Sequence, residues 1–182
     1  DALKTSYNLN GQFYLPLITF SDEGELKLEN CVIFKGYKPH LMLDSSETMG
    51  LNLLLENVKD GVFITKQNGK TVSVDIVSQS CNIDINSLDN KPTVNINVCA
   101  HGNISELGVI GDEKARKLQL VNVENDVKKQ IVDTVSKTLY KTVALNNCDV
   151  LFLSQRMKKT DEKLYKNIQE TSIDAVLDKI SF

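Results

Sequence analysis

The sequence predicts an α+β fold: a mostly antiparallel sheet with a long amphipathic helix packed on one face. Three patterns carry that expectation. Val72, Val74 and Ile76 alternate with Ser73 and Asp75, and Val94, Ile96 and Val98 alternate with Asn95 and Asn97, the period of strands with one apolar face. Gln67-Asn68-Gly69 separates two β-rich runs, and Asn-Gly accepts the positive φ angles of a type I′ hairpin turn. From Glu124 to Leu145, apolar residues recur at Val127, Ile131, Val135, Leu139 and Val143, with Val132 widening the stripe, while Lys128, Lys129, Lys137 and Lys141 take other faces. Strands grouped ahead of a helix, rather than alternating with helices, place the chain in the α+β class.

The elements follow in order. Phe13 to Phe20 is apolar with Pro16 inside it, so it reads as an edge strand or an extended linker, because Pro cannot donate to a ladder. A polar turn at Ser21 to Gly24 leads to a strand over Leu26–Phe34. After the turn at Lys35-Gly36 a second apolar strand runs from Pro39 to Leu43. Asp44 is the expected N-cap of a helix, and Glu47 three residues on completes a capping box. Met49, Leu53 and Leu54 give that helix its apolar side, and Gly61 ends the segment. Strands are expected over Val62–Thr65, Lys70–Cys81 and Lys91–Ile104, in one sheet with Leu26–Phe34. The polar stretch from Asn82 to Asn90 reads as a turn. Asp112 to Leu120 is charged and fits no single period. Asn146-Asn147 stops the long helix, Asp149 to Leu153 is short and apolar, and Thr160 or Asp161 caps a last helix carrying Leu164, Ile168, Ile173, Val176 and Leu177.

Composition narrows the function classes. With 182 residues, 41% hydrophobic and 25% charged, the chain is long and apolar enough to bury a core without staples. A net charge of −3 argues against a nucleic-acid partner and gives no electrostatic reason to dock on anionic lipid. No apolar run approaches the roughly 20 residues that cross a bilayer. The chain opens at Asp1, with neither a signal peptide nor a lipid-attachment Cys, and is read as a mature or trimmed C-terminal fragment. Cys31, Cys81, Cys99 and Cys148 show no C-x-x-C spacing, so a zinc site has little support. They are expected as free, buried thiols, although an extracytoplasmic address leaves a disulfide open.

The reactive residues fall short of a site. His40 and His101 are the only histidines, and Cys99 and His101 share a strand face, but a nucleophile pair also needs an orienting third group. Gly102-Asn103, Gly108 and Gly111 are too widely spaced for a phosphate loop. Asp22, Glu23 and Glu25, and Asp84 with Asp89, lack the alternating ligand positions of a calcium loop and read as solvated turn acids. Arg156-Met157-Lys158-Lys159 is followed at once by Asp161 and Glu162, as on a solvated helix flank. Asn95 and Asn97 mark a polar sheet face open to water or a partner. The expectation is therefore no catalytic, cofactor-binding or metal residue and no enzyme.

One stretch is more specific. Cys31 to Leu55, CVIFKGYKPHLMLDSSETMGLNLLL, runs strand, turn, strand and helix, with Glu47-Thr48-Met49-Gly50-Leu51 at its sharpest point. It resembles the Ger(x)C family, the lipoprotein C subunit of spore germinant receptors. The likeness extends loosely from Leu15 to about Leu153. It takes in Lys91-Pro92-Thr93-Val94, Ile104-Ser105-Glu106, the helix from Glu124 and Cys148-Asp149-Val150-Leu151-Phe152. The tail departs from that pattern: the chain has no Trp, and a final strand is absent or begins at Ile180. The resemblance implies that residues 1–20 are a remnant of an upstream domain or an interdomain linker, and that residues 21–182 are the C-terminal domain of such a subunit. It further implies an N-terminal lipid anchor not present in this chain, a place on the outer surface of the spore inner membrane, and the receptor's A and B membrane subunits as partners. The implied role is non-enzymatic support of a nutrient germination signal. The residues by themselves equally admit an extracytoplasmic small-ligand binding domain unrelated to germination.

Overall fold

Two antiparallel sheets and a long helix meet around one short helix in the computed structural model, which describes residues 11–58, 61–88, 91–105 and 112–168. Strands β1 (Phe13–Phe20), β2 (Leu26–Lys35) and β3 (Lys38–Leu43) form the first sheet in that order. Strands β4 (Val62–Gln67), β5 (Lys70–Leu88) and β6 (Lys91–Ile104) form the second. Helix α1 (Ser45–Leu54) follows β3. Helix α2 (Glu113–Leu139) follows β6 and widens into a π-helical turn at Tyr140–Ala144. Helices α3 (Leu153–Thr160) and α4 (Glu162–Ile168) end the described part.

The α+β class and the antiparallel pairing stand as expected. The single sheet does not: Leu26–Phe34 belongs to a separate sheet. Its inward residues Cys31 and Ile33, with Leu43 of β3, are buried, and α1 packs on that side. Because α1 also touches β5 and α2, it stands between the sheets and prevents their joining. Pro16 sits on β1, an edge strand, where a missing N–H costs nothing.

Two further boundaries differ from the sequence reading. Residues 82–86 are strand, not turn. Ile83 and Ile85 are buried while Asn82, Asp84 and Asn86 are exposed, so the polar residues are the outer face of a half-buried strand. Helix α2 starts at Glu113, capped by Asp112, whose carboxylate accepts the Ala115 N–H at 2.9 Å. Its first turns expose Leu118, Leu120 and Val121, which blurred the period. Asp89, Glu106, Gly108, Gly111, Ile173, Val176, Leu177 and Ile180 lie outside the described residues.

Helix α2 lies on the second sheet. The Asp126 carboxylate accepts from Thr65 Oγ1 at 2.7 Å and Gln67 Nε2 at 2.8 Å, and Gln130 Nε2 donates to the Ile64 carbonyl at 3.1 Å. Of the expected core, Val94, Val127, Val135 and Leu139 are buried. Ile131, Ile96 and Val98 are only partly buried, because helix and strand diverge there. Leu139→Ala is expected to lower the unfolding free energy by about 2–5 kcal/mol, the usual cost of emptying a buried aliphatic site. Ile131→Ala should cost clearly less. Urea melts of the two variants check this, and equal losses would show that the space beside Ile131 is closed in solution.

Candidate functional site

The segment Glu47-Thr48-Met49-Gly50-Leu51 occupies the junction of α1 with α2. Asp44 has extended backbone and its Oδ1 accepts the Glu47 N–H at 2.8 Å, while Glu47 Oε2 accepts the Asp44 N–H at 2.8 Å. Each residue thus satisfies an amide that helix geometry leaves unpaired. The Glu47 side chain is only 4% exposed, so its charge needs a partner. Lys141 supplies it at 2.5 Å, and Lys137, one turn earlier on the same face of α2, reaches Glu47 at 3.5 Å and Asp44 at 2.9 Å. Burial pushes the Glu47 carboxyl upward, but the Lys141 ammonium and the Asp44 N–H outweigh it and hold the group below its ordinary value. The Glu47 N–H and Lys137 likewise hold Asp44 low.

Between those lysines, Thr138 Oγ1 lies 2.9 Å from both the Glu47 and Thr134 carbonyls, which compete for its proton. Gly50 faces this point. A Cβ there would come 2.7 Å from the Thr134 carbonyl oxygen and closer still to Thr138 Oγ1, so the glycine permits helix contact at backbone distance. Leu51 is fully buried beside it. Under the helix, burial pushes the Cys31 thiol upward against a hydrogen bond with Thr48.

A second polar centre lies at Asp149, which is completely buried. Its carboxylate accepts the Leu153 N–H at 2.6 Å, the Ser154 N–H at 3.0 Å and the Ser154 hydroxyl, and so caps α3 in place of the formal N-cap Phe152. Phe152 itself has φ +59, a left-handed conformation that suits glycine better. Burial raises the Asp149 pKa against these hydrogen bonds. The Asp149 N–H donates to Gln12 Oε1 at 2.7 Å, joining the segment that enters the first sheet to the one that enters α3.

A concavity of about 930 Å³ runs between α2 and β6. Val94, Ile96 and Val98 form one wall and Val127, Ile131 and Val135 the other, with Glu124 and Lys128 also in its lining. Asn95 and Asn97 are exposed on β6.

The other sequence candidates scatter. His40 is exposed on β3, and Cys99 and His101 are exposed on β6. The expected burial of the cysteines therefore fails for Cys99, whose place in the strand alternation turns it outward. Cys31 and Cys148 are buried and Cys81 is half-buried, all as free thiols. Asp22, Glu23 and Glu25 are exposed, and Asp84 accepts from Asn82 Nδ2 at 2.7 Å. Arg156, Lys158 and Lys159 line the exposed side of α3 while Met157 is fully buried. Among the described residues no three His, Cys, Asp or Glu side chains group as a metal site. Sequence reasoning found the capping box. It missed Lys141, Thr138 and Asp149, and the one available signal was a glycine inside a helical pattern.

Comparison with known proteins bears on this geometry. The family described as spore germination B3/GerAC like, C-terminal, matches residues 29–178. The crystal structure of the GerBC protein is similar over 100% of this chain, with a TM-score of 0.80 and 20% identity, which is a likeness of fold. The chain spans 56% of the GerBC chain. No curated protein matches.

Gly50→Ala should destabilise by about 1–3 kcal/mol through overpacking, although Ala is favoured over Gly in a helix by about 1 kcal/mol. Adding Thr138→Ala should recover part of the loss in urea melts. The acid limb of stability supplies a second test. Glu47 and Asp44 have lowered pKa values, so their stabilisation is present above about pH 4.3 and is lost as pH falls through their folded values. Glu47→Gln should flatten that limb. Asp149 acts in the opposite sense: its raised pKa favours the fold at low pH, and that contribution is lost as pH rises through its folded value. Asp149→Asn should nonetheless cost about 1–3 kcal/mol at neutral pH, because an amide offers one acceptor oxygen to two amide donors.

Proposed function

The chain belongs to the family described as spore germination B3/GerAC like, C-terminal, and we propose on that premise that it is the C-terminal domain of a germinant-receptor C subunit. The match over residues 29–178 carries this reading. Residues 21–182 form the domain, and residues 1–20 lead into it from an upstream domain. The role is non-enzymatic: it binds the receptor's A and B membrane subunits and supports the nutrient signal. Among the described residues no helix is long and apolar enough to cross a membrane. The reading assigns attachment, on the outer surface of the spore inner membrane, to an N-terminal lipid anchor outside this chain.

The physics of the fold supports a binding role. The strongly placed polar groups, Glu47, Asp126 and Asp149, are engaged in holding elements together. Surface is left for partners: α2 exposes Leu118, Val121 and Val132, and Val132 with the partly exposed Leu120 lines the groove. An apolar stripe at the edge of a concavity, rimmed by polar residues, is the usual form of an interaction surface. The same groove favours a second reading, an extracytoplasmic small-ligand binding domain, because its volume falls within the range of ligand clefts.

Val121→Asp and Val132→Asp change exposed positions and should leave the fold intact. Introduced into an intact C subunit, they should reduce recovery of the membrane subunits with it. They should also slow nutrient germination on the order of tenfold, the effect of about 1.4 kcal/mol at an interface. Germination by routes that bypass receptors should remain. Normal nutrient germination, in spores with no other receptor for that nutrient, would contradict the proposal.

A further inference from the structure

The first sheet carries apolar residues on both sides, and among the described residues only one side is covered. Cys31, Ile33 and Leu43 face α1 and are buried. By strand alternation the opposite side carries Leu15 on β1, Leu26, Leu28 and Val32 on β2, and Met42 on β3. Phe20, paired with Leu26, extends that side past a bulge between Leu17 and Thr19. Phe20 is 74% exposed, Leu26 67%, Leu28 65% and Met42 58%. Single exposed apolar residues are ordinary, but a contiguous set spanning three strands is not. An antiparallel sheet with one solvated face normally places polar residues there. Here Asn30 is the polar residue among the paired positions of β2 on that side.

We propose that this face is the seat of the upstream part of the same polypeptide, held as a fixed domain–domain interface. Three observations select that occupant. The exposed residues are aliphatic and aromatic, which suits a permanent neighbour rather than one that docks and leaves. Strand β1, which contributes Leu15 and Phe20, precedes residue 29, where the match to a C-terminal family begins, so the strand joins that domain to what lies before it. The solved relative extends well beyond the region shared with this chain, which spans 56% of it. A large apolar interface holds two domains in one orientation, whereas the polar interfaces common between domains allow them to swing. The face therefore fixes the direction in which the second sheet and α2 project. The inference rests on reading the chain as the C-terminal domain of a longer polypeptide.

Thiol labelling tests it in that longer polypeptide, with Cys99→Ser removing the exposed native thiol. Leu28→Cys and Met42→Cys report on the face, and Val77→Cys, at a 64% exposed position of β5, is the reference. Maleimide should modify Leu28→Cys and Met42→Cys on the order of tenfold more slowly than Val77→Cys, independently of protein concentration. Comparable rates at the three positions would overturn the proposal. Protection that appears only as concentration rises would assign the face to a second copy and also overturn it, as would protection that appears only when membrane subunits are added. Since the comparison of the three positions is first made without membrane subunits, its failure leaves the receptor assignment standing. Loss of subunit binding, conversely, would not alter the labelling.

Discussion

The arrangement depends on a buried carboxylate with two duties. Glu47 closes the first turn of α1 and receives the ammonium of Lys141 from α2. Either duty alone is common, but together they fix both the start of one helix and its position along another. Gly50, one turn further, lets the helix backbones approach at Thr138. Helix α1 contacts β2 and β3 on one side and β5 on another, so this junction also sets how the two sheets stand. The capping box is a local device, and the ion pair reaches 94 residues along the chain.

That difference in range explains what was legible. The capping box was readable because its four residues are consecutive and the spacing has one geometric meaning. Lys141 was not, because a lysine on an amphipathic helix is indistinguishable in sequence from its solvated neighbours Lys128 and Lys129. Strand period reported which residues face inward, and Val72, Val74, Ile76 and Val94 are buried. Period says nothing about which strands are neighbours, so the division into two sheets stayed hidden. The polar run after Cys81 misled for a related reason: Asn82, Asp84 and Asn86 form one face of a strand whose other face is Ile83 and Ile85. Asp149 was the least visible site. Asp149 opens what reads only as a short apolar segment, and its burial depends on amide donors that exist only once α3 has formed.

Several of the residues that carry the family likeness hold the fold together. Glu47, Gly50 and Leu51 hold helices together, and Asp149 with Phe152 shapes the entry to α3. Two surfaces remain outside these contacts: the groove beside α2 and the exposed apolar side of the first sheet. The junction at Glu47, where α1 meets both sheets and α2, sets how those two surfaces stand to each other.

A double-mutant cycle on Glu47 and Lys141, with alanine at each position and at both, tests the central claim most directly. Unfolding free energies from urea melts at neutral pH should show the two losses to be strongly non-additive, with a coupling of about 1–3 kcal/mol. Additive losses, within about 0.5 kcal/mol, would mean that the ion pair does not hold α1 to α2 and that the junction rests on packing alone.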